Sequence, residues 1–216
     1  MNDLTAIDIL VEPDSNAIER VSAENSRLRE AYPEGFGLDV LHMPHITLLQ
    51  RYVWSERLTE LFAAVEEVVQ AVKRDSLSFK ATGLGHMPIS TIPGHGLAAT
   101  VVQPGPEVLT LQSALIDAVA PFTADRGDAR AFVTTEDEPH INADTLDYVA
   151  NYVPVHSGAN FIAHMTAGLA PLDFLEKIER QPFDAFDFHP AGFAIYQLGN
   201  NGTARKKLRT LPVHMG

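Results

Sequence analysis

The spacing of hydrophobic and polar residues predicts that the chain begins with a strand, a helix and a second strand. Residues 5–11 are rich in apolar and β-branched side chains, and this run ends at Glu12-Pro13-Asp14. Apolar positions then recur at helical spacing, with Asp14 or Ser15 as the expected N-cap and an expected end near Tyr32. A glycine-rich turn leads from this helix into an apolar strand over residues 44–49.

The helical and strand spacings of apolar residues also predict the remaining elements. A helix begins at residue 55 and carries a long apolar stripe, and residues 123–143 are expected to be irregular apart from a short strand at 131–134. An Asn-Gly turn at residues 201–202 predicts a hairpin. Further strands are expected at 77–84, 96–102, 161–168, 186–198 and 203–211, and further helices at 107–120, 144–153 and 172–180.

This order of elements predicts a bilobal α+β fold with two pseudo-symmetric halves and a cleft between them. Each half is expected to hold a largely antiparallel sheet flanked by helices, because the links between strands are short and hairpin-like. No proline- or serine-rich linker separates the halves, so we expect a single bilobal domain spanning residues 1–216.

Two short strands, one in each predicted half, carry the same arrangement of polar residues. The first contains His45 and Thr47, and the second contains His164 and Thr166. Side chains alternate between the two faces of a strand, so each histidine shares a face with the threonine two positions later. A single His-x-Thr tripeptide carries little weight, but two of them in apolar strands suggest that both polar pairs face one cleft.

Composition narrows the functional classes. The formal net charge is −12, and a surface of this sign repels a long polyanion, which argues against binding of duplex nucleic acid but allows a single nucleotide or a strand end. The sequence has no cysteine and therefore no thiolate metal site. No apolar run is long enough for a membrane span, and the acidic N-terminus does not resemble a signal peptide, so we expect no membrane partner and a cytoplasmic location.

Two histidines and two hydroxyls across a cleft suit phosphoester transfer. A neutral imidazole can take a proton from the attacking water or hydroxyl, and a protonated one can give a proton to the leaving oxygen. Histidine fits both roles because its ordinary pKa of about 6.5 populates both forms near neutrality. Threonine hydroxyls can donate hydrogen bonds to the non-bridging phosphate oxygens, whose charge grows in the transition state. Such a scheme requires no metal and no cofactor.

Paired His-hydrophobic-Thr strands, one in each half of the chain, resemble the 2H phosphoesterase superfamily, which includes RNA 2′,3′-cyclic phosphodiesterases and 2′-5′ RNA ligase-like proteins. The resemblance extends to the strand that ends at Glu12-Pro13-Asp14, to the proline before His45, to Gly168 after the second motif and to a closing strand further on. Ala163 stands where relatives often have proline, which we expect to affect loop geometry more than chemistry.

The resemblance implies a bilobal α+β fold and a metal-independent attack on a 2′,3′-cyclic phosphate that leaves a monoester. It assigns His45 and His164 to general acid–base catalysis, without saying which is the acid, and Thr47 and Thr166 to binding the phosphate oxygens. The implied partner is a small nucleotide or an RNA terminus that carries a cyclic phosphate, and we expect a monomer.

Two other functions would use some of the same residues. A noncatalytic module would bind a nucleotide or another phosphoester in the same cleft, and a metal-dependent hydrolase would combine His42 with His45 and an acid. Because His42 lies three positions before His45, shared ligation would need a turn at Met43-Pro44. Residues 139–142 imitate the first motif around His140, but their acidic context predicts a turn before a helix N-cap rather than a strand.

Three further features have two interpretations each. Arg51 shares strand parity with Thr47 and would reach the cleft, or it pairs with an acid at an edge. Tyr196 and Phe193 stack a nucleobase, or they belong to the core. The basic run over residues 205–209 contacts a phosphate tail or forms a solvated hairpin edge, and we favour the edge.

Overall fold

The computed structural model describes residues 3–39, 42–136 and 138–212, and it contains two β-sheets with helices packed against them. The strands are β1 (Leu4–Pro13), β2 (Ile46–Trp54), β3 (Phe79–Pro88), β4 (His95–Pro104), β5 (Thr123–Ala124), β6 (His164–Pro171), β7 (Phe186–Phe188), β8 (Pro190–Leu198) and β9 (Ala204–Leu211). The α-helices are α1 (Ser15–Ala31), α2 (Leu58–Gln70), α3 (Pro106–Val119), α4 (Ala143–His156) and α5 (Leu172–Glu179). Within the described ranges, no helix combines the length and the apolar character that crossing a bilayer requires.

Every pair of neighbouring strands is antiparallel, as the sequence predicts. The first sheet has the strand order β5-β2-β1-β8-β9, and the second has the order β6-β4-β3-β7. The two His-x-Thr motifs lie on β2 and β6, so each sheet carries one of them. One continuous cluster of buried apolar side chains includes residues from both sheets and from each of the five helices. These observations confirm the predicted α+β architecture.

Helix α1 begins and ends where its sequence signals predict. The Asp14 carboxylate is the N-cap and accepts a hydrogen bond of 3.0 Å from the Ala17 amide. The helix ends before Tyr32, and Pro33 follows directly. The buried face of α1 follows helical spacing and includes one polar side chain, Asn25, which is 5% exposed.

The expected strand over residues 186–198 is instead two strands in different sheets. β7 pairs with β3 in the second sheet, whereas β8 pairs with β1 and β9 in the first. His189 lies at the crossing between them, where its Nδ1 lies 2.9 Å from the Leu77 carbonyl oxygen and its backbone amide donates to the Asp14 carboxylate at 3.1 Å. Buried strands of both sheets have the same apolar composition, so the sequence pattern does not reveal the crossing.

The expected strand over residues 131–134 is also wrong. A 3₁₀ turn occupies Ala129–Ala131, and the Asp128 carboxylate caps it by accepting from the Arg130 amide. The short strand at this edge of the first sheet is instead the two-residue β5, which pairs with β2. The side-chain hydrogen bond of the cap competes with strand pairing at this point.

A β-bulge follows each His-x-Thr motif directly. In β2, the residues on either side of Leu48 face consecutive residues of β1, so Leu48 is the extra residue after Thr47. In β6, the residues on either side of Ala167 face consecutive residues of β4, so Ala167 is the extra residue after Thr166. The two motif strands therefore share a backbone irregularity at the same place.

Helix α1 braces the second bulge through the side chain of Asn25. The amide nitrogen Nδ2 donates to the Ala167 carbonyl at 2.8 Å and to the Phe36 carbonyl at 3.0 Å, while Oδ1 accepts from the Leu38 amide at 3.2 Å. Residues 36–38 lie on the approach to His45. Asn25 therefore connects the bulge of the second motif to the segment that precedes the first.

Helix α3 makes the reciprocal connection through Gln112, which is fully buried. Its Nε2 donates to the Leu48 carbonyl at 3.0 Å, and its Oε1 accepts from the Gly158 amide at 2.9 Å. Leu48 is the bulge residue of the first motif, and Gly158 lies on the approach to His164. The two buried amides thus cross-connect the motif strands.

The close packing of α1 on β6 depends on Gly168. A Cβ atom at this position would lie 2.9 Å from the Leu28 side chain and 3.0 Å from the Asn25 amide nitrogen. A larger residue would push the helix away and lengthen the hydrogen bond from Asn25 to Ala167. The close packing of α1 on β6 therefore accounts for the glycine after the second motif.

We predict that Gln112→Leu lowers the free energy of unfolding by about 2–4 kcal/mol. Leucine is similar in size, but it leaves the Leu48 carbonyl and the Gly158 amide buried without partners, at about 1–3 kcal/mol each. Denaturant unfolding followed by circular dichroism measures the change.

Gln70→Leu is the matched control for this substitution. The Gln70 amide donates to Glu66 in an exposed hydrogen bond on α2, so we expect a change within about 0.5 kcal/mol. Equal losses of stability in the two variants would contradict the bracing role of Gln112.

Candidate active site

The two histidines occupy matching positions where the two sheets meet. His45 directly precedes β2 and His164 opens β6, and these two strands contact each other. Both histidines and both threonines of the motifs are half-buried. The residues that alternate with them are buried, namely Pro44, Ile46 and Leu48 in the first motif and Ala163, Met165 and Ala167 in the second. Each polar pair therefore shares one face of its strand, as the sequence predicts.

Both imidazole rings are oriented by the same local hydrogen bond. His45 Nδ1 lies 2.7 Å from the Met43 carbonyl oxygen, and His164 Nδ1 lies 2.9 Å from the Ile162 carbonyl oxygen. A carbonyl oxygen only accepts hydrogen bonds, so Nδ1 carries the hydrogen in each ring. The nitrogen left to exchange protons with a ligand is Nε2 in both histidines.

The electrostatic surroundings of His164 include the other imidazole ring, that of His45. Burial lowers the pKa of His164, and the charge of His45 lowers it further, while the hydrogen bond to the Ile162 carbonyl acts in the opposite direction. The structure therefore brings the two predicted histidines close enough for the charge on one ring to influence protonation of the other. The neutral form of His164 is the favoured one.

Asp8, on β1, lies beside the first motif and is not among the residues predicted for the site. Its carboxyl group is fully buried, and its Oδ2 accepts from the Thr47 hydroxyl at 2.7 Å and from Gln50 Nε2 at 3.1 Å. His45 Nε2 lies 3.8 Å from the same oxygen. In the part of the chain that the structure describes, Asp8 Oδ1 is buried and has no hydrogen-bond partner. Burial raises the pKa of the Asp8 carboxyl group, and the three neighbours offset only part of the rise.

The sheet register brings Asp8 to this place. Asp8 faces Gln50 across the β1–β2 pair and faces Tyr196 across the β1–β8 pair. A signal was present in the sequence, because Asp8 is an acid within the apolar run over residues 5–11. Burying a charged residue in a strand costs free energy, so such a residue needs hydrogen-bond partners or has a functional role.

Helix α4 covers the Asp8 side of the site with aromatic side chains. Tyr152 is buried, and its hydroxyl donates a long hydrogen bond of 3.5 Å to the Thr47 carbonyl. Tyr148 stacks on His156, with 4.3 Å between the ring centroids. Burial raises the pKa of Tyr148 to about 12 and the pKa of Tyr152 well above 10, and the charge of Asp8 adds to both rises. Both phenols therefore stay protonated next to the site.

Arg51 does not share a face with Thr47, which corrects the parity argument from the sequence. Thr47 faces Leu10 of β1 and Arg51 faces Ile7, and positions three apart on a regular strand point to opposite faces. The bulge at Leu48 causes the change of face. The Arg51 guanidinium instead donates to the Thr123 hydroxyl at 3.2 Å.

The late aromatic residues and the basic run belong to the framework of the first sheet. Phe193 is 1% exposed and Tyr196 is 8% exposed, so both pack in the interior rather than on an open stacking surface. Strand β9 carries the basic run at the edge of the sheet, as favoured above. Its ion pairs are Arg205 with Glu138, Lys207 with Glu12 and Arg209 with Glu66.

Neither His42 nor His140 is part of the histidine pair. His42 stacks on Phe36, and its Nδ1 lies 3.1 Å from Asp39 Oδ1. His140 is exposed ahead of α4, and Asn142 is the N-cap of that helix, as the sequence predicts. Across residues 3–39, 42–136 and 138–212, no three or more His, Cys, Asp or Glu side chains are grouped so that they could hold a metal ion.

One solved structure shares the fold of this chain, and further solved structures align with it. TT0787 of Thermus thermophilus aligns with a TM-score of 0.57 and 13% identity, over 98% of this chain and 99% of that chain. E. coli LigT in its apo form aligns with a TM-score of 0.47 and 12% identity, over 97% of this chain and 98% of that chain. LigT complexed with 3′-AMP has a TM-score of 0.47 and 12% identity, over 99% and 100%. A search of the curated proteins gives no match.

The family comparison covers most of the chain and both His-x-Thr motifs. The family model of the 2′-5′ RNA ligase superfamily matches residues 13–175. This match confirms the resemblance on which the sequence-based expectations rest. The chain therefore belongs to the 2′-5′ RNA ligase superfamily, a group of 2H phosphoesterases.

Proposed function

We propose that the protein is a metal-independent phosphodiesterase that opens the 2′,3′-cyclic phosphate of a nucleotide or of an RNA end. Membership of a phosphoesterase superfamily makes an enzyme of the phosphodiesterase type the general class. The observation that supports the specific proposal is the pair of imidazoles of His45 and His164. Their rings are oriented alike, and the charge of His45 lowers the pKa of His164.

In this proposal His164 is the general base and His45 is the general acid. Burial and the charge of His45 both lower the pKa of His164, which favours the neutral form that a general base needs. The neutral Nε2 of His164 takes a proton from the attacking water, and His45 gives a proton to the leaving ribose oxygen. Both Nδ1 atoms keep their carbonyl hydrogen bonds, so each ring stays in place while Nε2 gains or loses its proton. The pair supplies both proton transfers, so the scheme needs no metal ion.

The two threonines are proposed to bind the non-bridging phosphate oxygens. Thr166 is half-exposed on the face of β6 that carries His164, and Thr47 occupies the matching position on β2. Hydroxyl donors at these positions would stabilise the charge that grows on the oxygens in the transition state.

The apolar rim of the site supports a nucleoside as the body of the substrate. Met43 and Ile162 lie two positions before His45 and His164, and they are 43% and 72% exposed. A base or ribose attached to the phosphate can cover these side chains. The net charge of −12 favours a small nucleotide or a strand end over a long RNA. The expectations of a monomer and of a cytoplasmic location stay predictions.

We predict that the protein hydrolyses a nucleoside 2′,3′-cyclic phosphate in the presence of EDTA. His45→Ala and His164→Ala should each lower kcat by about 10²–10⁴-fold, which is the usual contribution of a general acid or base. Steady-state kinetics with chromatographic identification of the monoester product measures both effects.

His140→Ala is the matched control, because His140 is exposed and lies in the tripeptide that imitates the first motif. This variant should keep wild-type activity. Ligand-induced stabilisation without turnover would support a noncatalytic binding module instead, and loss of activity in EDTA would support a metal-dependent hydrolase. Either result would overturn the proposed function.

We predict that, on the acid side of the pH profile, kcat/KM stays high at pH values below 6.5 and falls when the pH drops through the lowered pKa of His164. The base works in its neutral form, and a lowered pKa extends the range of that form toward acid. NMR titration of the His164 ring measures the pKa directly.

The variant His45→Ala tests the interaction between the rings. Removing the neighbouring charge should raise the pKa of His164, while burial should still hold it below 6.5. An unchanged His164 titration in this variant would contradict the close approach of the two imidazoles.

A further inference from the structure

The hydrogen bond between Thr47 and Asp8 conflicts with the role proposed for Thr47. The hydroxyl group of Thr47 has one hydrogen, and in this geometry it lies between Thr47 Oγ1 and Asp8 Oδ2, which are 2.7 Å apart. If Asp8 is ionised, that hydrogen belongs to the carboxylate and cannot reach a phosphate oxygen. Asp8 precedes residue 13, where the family match begins, so its role does not come from that comparison.

We infer that Asp8 acts as a positioning residue in its protonated form, in which its carboxyl group donates to Thr47 Oγ1 and turns the Thr47 hydroxyl hydrogen toward the phosphate. No bond other than the hydrogen bond changes, and the proton on Asp8 comes from solvent. The oxygen that donates to Thr47 keeps a lone pair that can still accept from Gln50. The inference rests on the proposed function, because it names the ligand toward which Thr47 donates.

The surroundings of Asp8 make its neutral form more accessible than the neutral form of an exposed acid. The side chain is fully buried, and Oδ1 has no partner among the described residues. A buried oxygen without a hydrogen-bond partner has a much higher free-energy cost on a carboxylate than on a neutral acid, because the charged form loses its hydration. The raised pKa of Asp8, caused mainly by burial, agrees with this geometry.

The ion pair of Asp8 with His45 is long and exists only when His45 is protonated. His45 Nε2 lies 3.8 Å from Asp8 Oδ2, beyond hydrogen-bond distance, so its charge offsets only part of the effect of burial on the pKa of Asp8. Lys207 is paired with Glu12 at 2.6 Å. The titratable groups that face Asp8 from the neighbouring elements are His45 on β2, Tyr148 and Tyr152 on α4, and Tyr196 on β8, with Lys207 of β9 over the Tyr196 ring.

An anionic ligand adds a further reason for a neutral Asp8. A phosphate held by Thr47 would lie one hydroxyl group away from the Asp8 carboxyl. Two negative charges at that separation repel strongly in a buried site, where solvent screens them poorly. Binding of phosphate should therefore be coupled to protonation of Asp8.

A carboxyl-carbon NMR titration tests this coupling without any assay of turnover. The Asp8 resonance is identified by its absence from Asp8→Asn. We expect its pKa to lie above the ordinary value of about 3.9 and to rise further when inorganic phosphate is added. In Thr47→Val the further rise should be weaker, because the valine cannot donate to the phosphate. A pKa at or below the ordinary value, or one that phosphate does not raise, would overturn the inference.

Two substitutions of Asp8 test the positioning role in catalysis. Asp8→Asn keeps a donor toward Thr47 Oγ1 when the Gln50 amide turns over, so that Gln50 Oε1, which is buried without a partner among the described residues, accepts from the new NH2 group. In that arrangement kcat/KM should stay within about tenfold of the wild type, and its fall at alkaline pH should be less steep. Asp8→Leu removes the donor, and kcat/KM should fall by about 10²–10³-fold, as when an oxyanion donor is lost. Asp184→Asn is the charge-matched control, because Asp184 is exposed and paired with Arg20.

Equal losses in Asp8→Asn and Asp8→Leu would mean that the negative charge itself is needed, which would overturn the inference. Circular dichroism shows whether Asp8→Leu folds, and the asparagine variant and the titration decide the question if it does not. A wild-type protein that turns over no cyclic phosphate would refute the proposed function alone, because the phosphate titration still tests Asp8.

Discussion

Two buried amide side chains hold the two halves of the site in place relative to each other. Asn25 and Gln112 each bond the bulge of one motif strand and the approach to the other. Neither strand can shift without leaving buried backbone groups unpaired. This constraint matters because a displacement of about 1 Å between catalytic groups can cost about 10²-fold in rate. Two segments that are distant in sequence are therefore held next to each other in the candidate site.

The backbone of the site is nearly symmetric, but its charges are not. Each histidine bonds the carbonyl two positions before it, and each threonine precedes a bulge. Asp8 lies beside the first motif, however, and burial lowers the pKa of His164 in the second. The proposed acid–base catalysis needs two imidazoles in different protonation states, and chemically identical rings acquire that difference only from unequal surroundings.

Features that depend on neighbours in sequence can be predicted from the sequence, whereas features that depend on the pairing of distant strands cannot. Alternation of side chains places His45 with Thr47 on one face, and Asp14 caps α1, because both features depend on neighbours in sequence. The parity of Arg51 fails, because one inserted residue at Leu48 moves every later side chain of β2 to the other face. Asp8 is missed because its partners come from the register of β1 against β2.

A titratable acid at position 8 also explains how the site can be stable when it is empty. With no ligand bound, the Thr47 hydroxyl can donate to an ionised Asp8, so its hydrogen has a partner at 2.7 Å. When an anion arrives, protonation of Asp8 releases that hydrogen to the ligand. An asparagine presents either its oxygen or its nitrogen to Thr47, and it cannot change from acceptor to donor by taking up a proton. A carboxyl group serves both states because it can gain and lose one proton, at the cost of burying an acid in the centre of a sheet.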